Sequence, residues 1–408
     1  MRVWIINPYG NLPGEAWREY RSSMLASALE RAGHDVVWWI SNFEHRSKKF
    51  RSSGWKDRRL SDRISVHIVP SISYRQHISL RRIAYEIVFA RRVAARAIGE
   101  VRPDAIILAE PALFVAPGII QLCKRFDCKL IVDVLDLWPE LFKIALPRAL
   151  SPFHRIIFYP LYARRSRLFR AADAIVSVSK DYDELVRSIV PGKPTHVAYL
   201  GVDVMAFRNT MQNDEQDVCS ELGLAPKYPE EMWVIYAGTL GDGYDIRTIL
   251  SAIQTLSASG MPVRFLIAGD GPAKAYLFEH GVNKMHNATY LGVLDSKVLT
   301  RLYRHCDVGL STYVADSTVS MPVKLYDYLA AGLAIINSLG REVGEIIKVH
   351  GAGIEYAAGN PASLVDAIVY LSNNPMERLQ MRCRSTDLAY KFDSISQHNQ
   401  YAKFISSL

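Results

Sequence analysis

The segment from Asp316 to Gly332 brings a cation, a carboxylate and helix boundaries into one short run. Pro322 suits the first helical position and Gly332 the residue past the end, which predicts a helix of about ten residues between them. Leu325 and Leu329, four apart, belong to its buried face; Lys324 and Asp327, three apart, share another. A helix N-terminus beside a lysine can hold a diphosphate, and a carboxylate one turn further in can accept from two ribose hydroxyls. An ion pair on a solvated helix face has the same spacing, so spacing alone leaves both readings open.

Glycine-bearing loops recur where strands should end. Asn7 to Gly14 follows the first apolar run, Gly238 to Gly243 follows Trp233–Ala237, Gly269 to Pro272 follows Val263–Ala268, and Gly292, Val293 and Leu294 close another run. Such loops let backbone N–H groups approach a phosphate, and each is equally a tight turn. The first has G-x-x-x-G spacing rather than the dinucleotide G-x-G-x-x-G, and there is no Walker loop, which counts against dehydrogenase and P-loop chemistry. Asp136, with Trp138 and Glu140 beside it, either serves an acceptor or caps the helix entered through Pro139.

These residues need a frame. Short β-branched runs at Val3–Asn7, Asp35–Ile40, Ile64–Val69, Asp104–Ala109, Lys129–Asp133 and Ala174–Val178 alternate with amphipathic stretches, beginning with a helix at Glu15–Ala32. After the turn-rich Pro191–Pro194 and the acidic Asn213–Asp217 the rhythm restarts, with strands at Trp233–Ala237, Val263–Ala268, Thr289–Leu291, Val308–Leu310 and Ala334–Asn337. Such alternation predicts parallel sheets covered by helices on both faces. The expectation is an α/β chain of two doubly wound, Rossmann-like domains, 1–198 and 199–392, facing each other across a cleft. Ligands of such sheets bind outside the carboxyl ends of the strands.

The 408 residues are 49% apolar and 22% charged, which excludes disorder and low complexity, and no apolar run is long enough to span a bilayer. Met1 to Ile6 reads as a first strand rather than a leader peptide. Five cysteines, odd in number and without a C-x-x-C pair, point to a reduced, cytoplasmic setting with no metal cluster. Charge is lopsided: residues 1–200 hold 32 Lys and Arg against 19 Asp and Glu, and the remainder 17 against 22. The run Arg46–Arg59 packs cations around Phe50 and Trp55, and Arg75, Arg81, Arg82, Arg91, Arg92 and Arg96 follow. This patch suits an anionic membrane surface, or is a solvated loop and an arginine-faced helix; nucleic acid comes last, for lack of a recognition motif.

Taken in order, Ala268 to Pro272, Tyr290 to Val293, Cys306 to Val308 and Met321 to Gly332 resemble the family 4 retaining glycosyltransferases of the GT-B fold. Ala32 to Val36, Val132 to Glu140 and Ala172 to Ser179 resemble the subgroup that assembles bacterial surface polysaccharides on a polyprenyl carrier. The resemblance implies that the second domain holds a nucleotide-sugar donor, UDP-linked by expectation, and the basic first domain a lipid-linked saccharide acceptor. It also implies a peripheral place on the inner face of the membrane and a last helix, within 393–408, crossing back to the first domain. The transferred group would be a hexose or an N-acetylaminosugar.

Residue by residue, the resemblance puts the ribose-binding acid on Asp327 and the sugar-contacting glutamate on Val319, which departs from the pattern. Diphosphate-binding Arg and Lys would fall near Thr239 and Gly243–Asp245, where neither occurs, so Lys324 becomes the phosphate cation. A histidine near the donor sugar would fall at about Leu135, next to Asp136, and an Asn before Gly-Val-Asp is Leu200. The catalytic candidates are Lys324 and Asp136. Donor contacts are assigned to Gly14, Thr239, Gly241, Val293, Leu294, Ser320, Met321, Pro322, Val323, Lys324 and Asp327. Acceptor or membrane contacts are assigned to Trp138, Glu140, Phe50, Trp55, Arg81 and Arg82. No metal or other cofactor is expected: Asp181-Tyr182-Asp183 has the D-x-D form of metal-dependent transferases, but reads as the first turn of a helix after Ser179. The rival functions are a sugar-nucleotide epimerase of the same shape and a non-enzymatic binder of membrane surfaces or nucleic acid.

Overall fold

The computed structural model describes every residue apart from 16–20, 77, 148 and 214–216, and every side chain apart from these and 141, 144 and 145. Chain contacts divide it into two compact units, Met1–Leu200 with Ile395–Leu408, and Gly201–Ser394. Each is a Rossmann-like α/β domain built on its own sheet.

In the first unit the strands are β1 (Arg2–Ile6), β2 (Asp35–Ser41), β3 (Lys56–Arg59), β4 (Ile64–Val69), β5 (Ala105–Glu110), β6 (Lys129–Val134), β7 (Ala174–Ser177) and β8 (Thr195–Val197). Their order is β3-β4-β2-β1-β5-β6-β7-β8, parallel except for β3, which runs antiparallel to β4. Apolar side chains fill both faces, as a buried parallel sheet requires: Trp4, Ile6, Ile106 and Val132 on one, Val3, Ile5, Val36 and Ile131 on the other. The helix expected from Glu15 is described over Arg21–Arg31, the five residues before it lying outside the described set.

β3 corrects the reading of Arg46–Arg59 as wholly loop. Lys56, Asp57, Arg58 and Arg59 pair with Ile68, His67, Val66 and Ser65, and all four are exposed. Its apolar content is nil, so no hydrophobic pattern announces it; a fully charged edge strand also resists further pairing.

The second unit carries β9 (Met232–Ala237), β10 (Val263–Ala268), β11 (Ala288–Gly292), β12 (Val308–Ser311), β13 (Ala334–Asn337) and β14 (Gly353–Glu355), all parallel, in the order β11-β10-β9-β12-β13-β14. Tyr236, Leu240, Ile249, Leu310 and Ile336 lie in its core. β8 and β14, three residues each and half-exposed, fall below what periodicity can detect.

The last helix, Ser394–Ser406, packs on the first unit's sheet. Tyr401, Ala402 and Ile405 share the core with Val3 and Ile5, and the Tyr199 N–H donates to Gln397 Oε1 at 3.2 Å. Beneath Tyr401, the buried Arg21 spans to Asp133 on β6 at 2.6 Å and donates to the Ala198 carbonyl at 2.5 Å. Among the described residues no helix is long and apolar enough to cross a membrane.

Candidate functional site

In the second unit the strand order reverses between β9 and β12, so the loops leaving these two neighbours splay apart and open a crevice at their carboxyl ends. Three glycine loops are laced together beside it. Gly238 N–H donates to the Ala268 carbonyl at 2.9 Å, Leu240 N–H to Asp270 at 3.0 Å, and Gly269 N–H to Gly292 at 2.7 Å. The approach is close enough that a Cβ on Gly269 would lie 1.8 Å from the Gly238 carbonyl oxygen, and φ is +141° there.

Lys324 sits in the first turn of the helix Val323–Ala330, whose N-cap is Pro322 rather than the first helical residue foreseen. Part of its stem is accessible, but its Nζ is buried and makes no hydrogen bond. The ammonium is framed by the rings of Tyr236, Tyr244 and Tyr313, 4.0, 4.8 and 5.3 Å from their centroids. Gly238 leaves room for it: a Cβ there would approach Nζ to 3.1 Å. Burial pulls the amine down to about 7, while the ring faces favour the charged form. A cation desolvated without a carboxylate or carbonyl is unsatisfied until an anion arrives.

Of the other residues assigned to the donor, those of the second unit lie on this helix, just before it, or in the loops after β9 and β11. Thr239 accepts from Tyr236 Oη through its carbonyl at 2.6 Å, and Gly241 follows in the same turn. Ser320 and Met321 are buried, Val323 and Asp327 half-buried, Val293 is exposed and Leu294 half-buried just past β11. Of the 317–321 backbone, Ser317 N–H is spent on the Val314 carbonyl and Val319 N–H on Ser317 Oγ, at 3.1 and 3.3 Å. Gly14, at φ +82°, lies in the first unit's β1 loop.

In the first unit the order reverses between β1 and β5, and a polar group collects beyond the strand ends. Glu110 ends β5, fully buried, with neither carboxylate oxygen hydrogen-bonded. Burial raises its carboxyl well above the usual range; Arg165 opposes this, and the charges of Glu140, Asp136 and Glu86 add to it. Glu86 accepts from Tyr9 Oη at 2.5 Å and from the Phe114 N–H at 2.9 Å. Asp136 follows β6; its surface is open to water, yet enclosing chain desolvates the carboxyl and lifts it to about 6, with Arg82 opposing. Exposure means this shift carries little stability.

Arg82 and Glu140 correct the sequence reading. Arg82 is not a surface cation: it is buried, stacked 4.0 Å over Trp138 and 4.6 Å over Tyr9, donating to Tyr9 Oη at 3.1 Å. Glu140 is bound by both Nη atoms of the buried Arg165, at 2.5 and 2.9 Å, so it shapes the Trp138 loop rather than standing open. Phe50 and Trp55 are exposed as expected, Trp55 under Arg96, and Arg81 is exposed while donating to the Ser73 carbonyl. Sequence reasoning missed Glu110, Glu86 and the three tyrosines, because each joins the site only through the strand order.

Asp181 and Asp183 lie in the first turn of the helix Lys180–Ile189, with Ser179 as N-cap and Asp183 paired to Arg187 at 2.6 Å. Elsewhere Asp217, Cys219 and His305 bring ligand-type atoms within 4.8 Å of one another, but the Asp217 carboxylate caps a short helix through the Cys219 and Ser220 N–H groups.

Residues 21–205 match the Glycosyltransferase Family 4 domain and residues 231–374 the Glycosyl transferases group 1 domain. Anabaena HepE in complex with UDP-glucose superposes with a TM-score of 0.67 at 13% identity, covering 100% of both chains. WaaG, a glycosyltransferase involved in lipopolysaccharide biosynthesis, gives 0.68 at 13% identity over 99% of both. A chitobiosyldiphosphodolichol beta-mannosyltransferase of Dictyostelium discoideum is 29% identical over 92 residues, which are 22% of this chain and only 18% of that protein. With the two domains matched in this order on the shared two-domain fold, the chain belongs to the family 4 type of GT-B glycosyltransferases.

Proposed function

We propose that the chain transfers a hexose or N-acetylaminosugar from a UDP-linked donor, with retention, onto a polyprenyl-diphosphate-linked saccharide in bacterial surface polysaccharide synthesis, at the cytoplasmic face of the membrane. The observation that carries the donor half is the buried Lys324 Nζ, without a hydrogen-bond partner, beside the β9/β12 crevice. The donor is read as UDP-linked from the ligand of the HepE structure, and the acceptor as lipid-linked from the Dictyostelium relative and WaaG.

In this reading negative charge grows on the departing diphosphate as the glycosidic bond breaks, and stabilising it lowers the barrier most. Lys324 and the N-terminus of its helix meet that charge, Asp327 holds the ribose hydroxyls, and the chain at Val293 and Leu294 borders the base. With the cation supplied by the protein, transfer proceeds without a metal; chelation with EDTA leaves the rate unchanged, and a rate restored only by divalent ions contradicts this. Asp136, ionised above about 6, accepts the hydrogen bond of an acceptor hydroxyl. Incubation with UDP-sugars tests the class: release of UDP supports a transferase, and isomerised sugar without UDP an epimerase. Lys324→Ala lowers kcat by about 100-fold or more while circular dichroism is unchanged; undiminished turnover removes Lys324 from this role.

A further inference from the structure

Single exposed apolar residues are scattered over the surface, but Leu150, Phe153, Ile156, Ile157 and Tyr159 are exposed together, Ile156 at 75% and Tyr159 at 68%. Phe153, Ile156 and Ile157 fall at i, i+3 and i+4 across the turn Ser151–Phe153 and the helix His154–Ile157, so they share one face. No acid occurs between Glu140 and Asp173, whereas Lys143, Arg155, Arg164, Arg167 and Arg170 are all exposed. The helix Tyr159–Ala171 continues from this face and holds a recess of about 380 Å³ lined by Tyr159, Tyr162, Ala163, Ser166, Arg167 and Arg170. The Tyr162 hydroxyl is buried there without a hydrogen-bond partner.

We propose that the face formed by residues 150–170 docks onto an anionic lipid surface, with Phe153, Ile156 and Ile157 entering the interface and an anionic headgroup resting between Arg167 and Arg170. Apolar side chains ringed by arginines without acids match such a surface in both respects. A second copy of the chain is a poor occupant, because a two-fold contact over this face sets arginine against arginine. The region of Arg46–Arg96 is a weaker choice. There Arg51 is held by Glu15, Arg96 by Asp57 at 2.6 Å, and Arg82 is stacked inside, while the exposed Arg58, Arg59, Arg91 and Arg92 share the region with the exposed acids Asp57 and Asp62.

This inference extends the lipid-linked acceptor reading, and vesicle binding measured without donor succeeds or fails independently of sugar transfer. The experiment is co-sedimentation of the full chain with vesicles of phosphatidylglycerol and phosphatidylcholine, and with phosphatidylcholine alone. The wild type partitions onto the anionic vesicles at least about tenfold better. Arg167→Glu with Arg170→Glu removes that preference; Phe153→Asp with Ile156→Asp removes binding that survives high salt. Both keep UDP release from the donor, and Phe50→Ala with Trp55→Ala still binds. Equal binding by all variants, no binding by the wild type, or a dimer that the Phe153 and Ile156 changes dissociate while vesicle binding persists, overturns it.

Discussion

Lys324 is held in a way that favours chemistry over stability. Its amine lies buried without a hydrogen bond, and burial depresses it to about 7 from 10.5. The folded state thus holds fewer protons than the unfolded chain between these values, and stability rises as pH climbs from about 7 toward 10.5. Lys324→Met removes that slope and raises the wild-type Tm by a few degrees near pH 7, as seen by calorimetric scans, while turnover is lost. A lower Tm would mean that the tyrosine rings over-compensate for burial. Donor binding follows the same proton: above about 7 the diphosphate must bring a proton onto Lys324, so affinity declines with rising pH, and calorimetry in buffers of different ionisation enthalpy reads the uptake.

At the scale of elements, the proposed donor site rests on how tightly the three glycine loops approach one another. Gly269→Ala drives a Cβ into the Gly238 carbonyl oxygen at 1.8 Å and forces an alanine to φ +141°. Denaturant unfolding should report a loss of about 2–4 kcal/mol, with weaker nucleotide binding; an unchanged midpoint would mean that the loops separate freely. Much of this arrangement was legible beforehand. The strands Ile64–Val69, Val263–Ala268 and Ala334–Asn337 match their expected bounds, because buried parallel strands read as continuous apolar runs. Lys324 and Asp327 stood out through local spacing. What stayed hidden is non-local: Tyr236, Tyr244 and Tyr313 reach one lysine from three segments, and Arg82 turned inward because Trp138 and Tyr9, distant in the chain, offer it two ring faces.

At the scale of the whole molecule, the chain ends where it began. Residues 395–408 complete the first unit, and the Arg21–Asp133 pair lies under their Tyr401. Asp133→Ala strands a buried guanidinium and should cost about 3–5 kcal/mol, measured as a lower melting transition. Loss of well under 1 kcal/mol would mean that Arg21 finds another partner. The charge asymmetry between the halves also has a spatial outcome. Several cations of the first half, Arg21, Arg51, Arg82 and Arg165 among them, are paired or stacked inside, whereas the acid-free helix Tyr159–Ala171 turns Arg164, Arg167 and Arg170 to solvent.

The central claim is that one buried lysine recognises the diphosphate of a nucleotide sugar. Titrating wild type and Lys324→Met with UDP and with uridine tests it most directly, since the two ligands differ only by the group in question. The account predicts that the variant binds UDP about 100-fold more weakly and uridine as before. Equal UDP affinity in both proteins would contradict it.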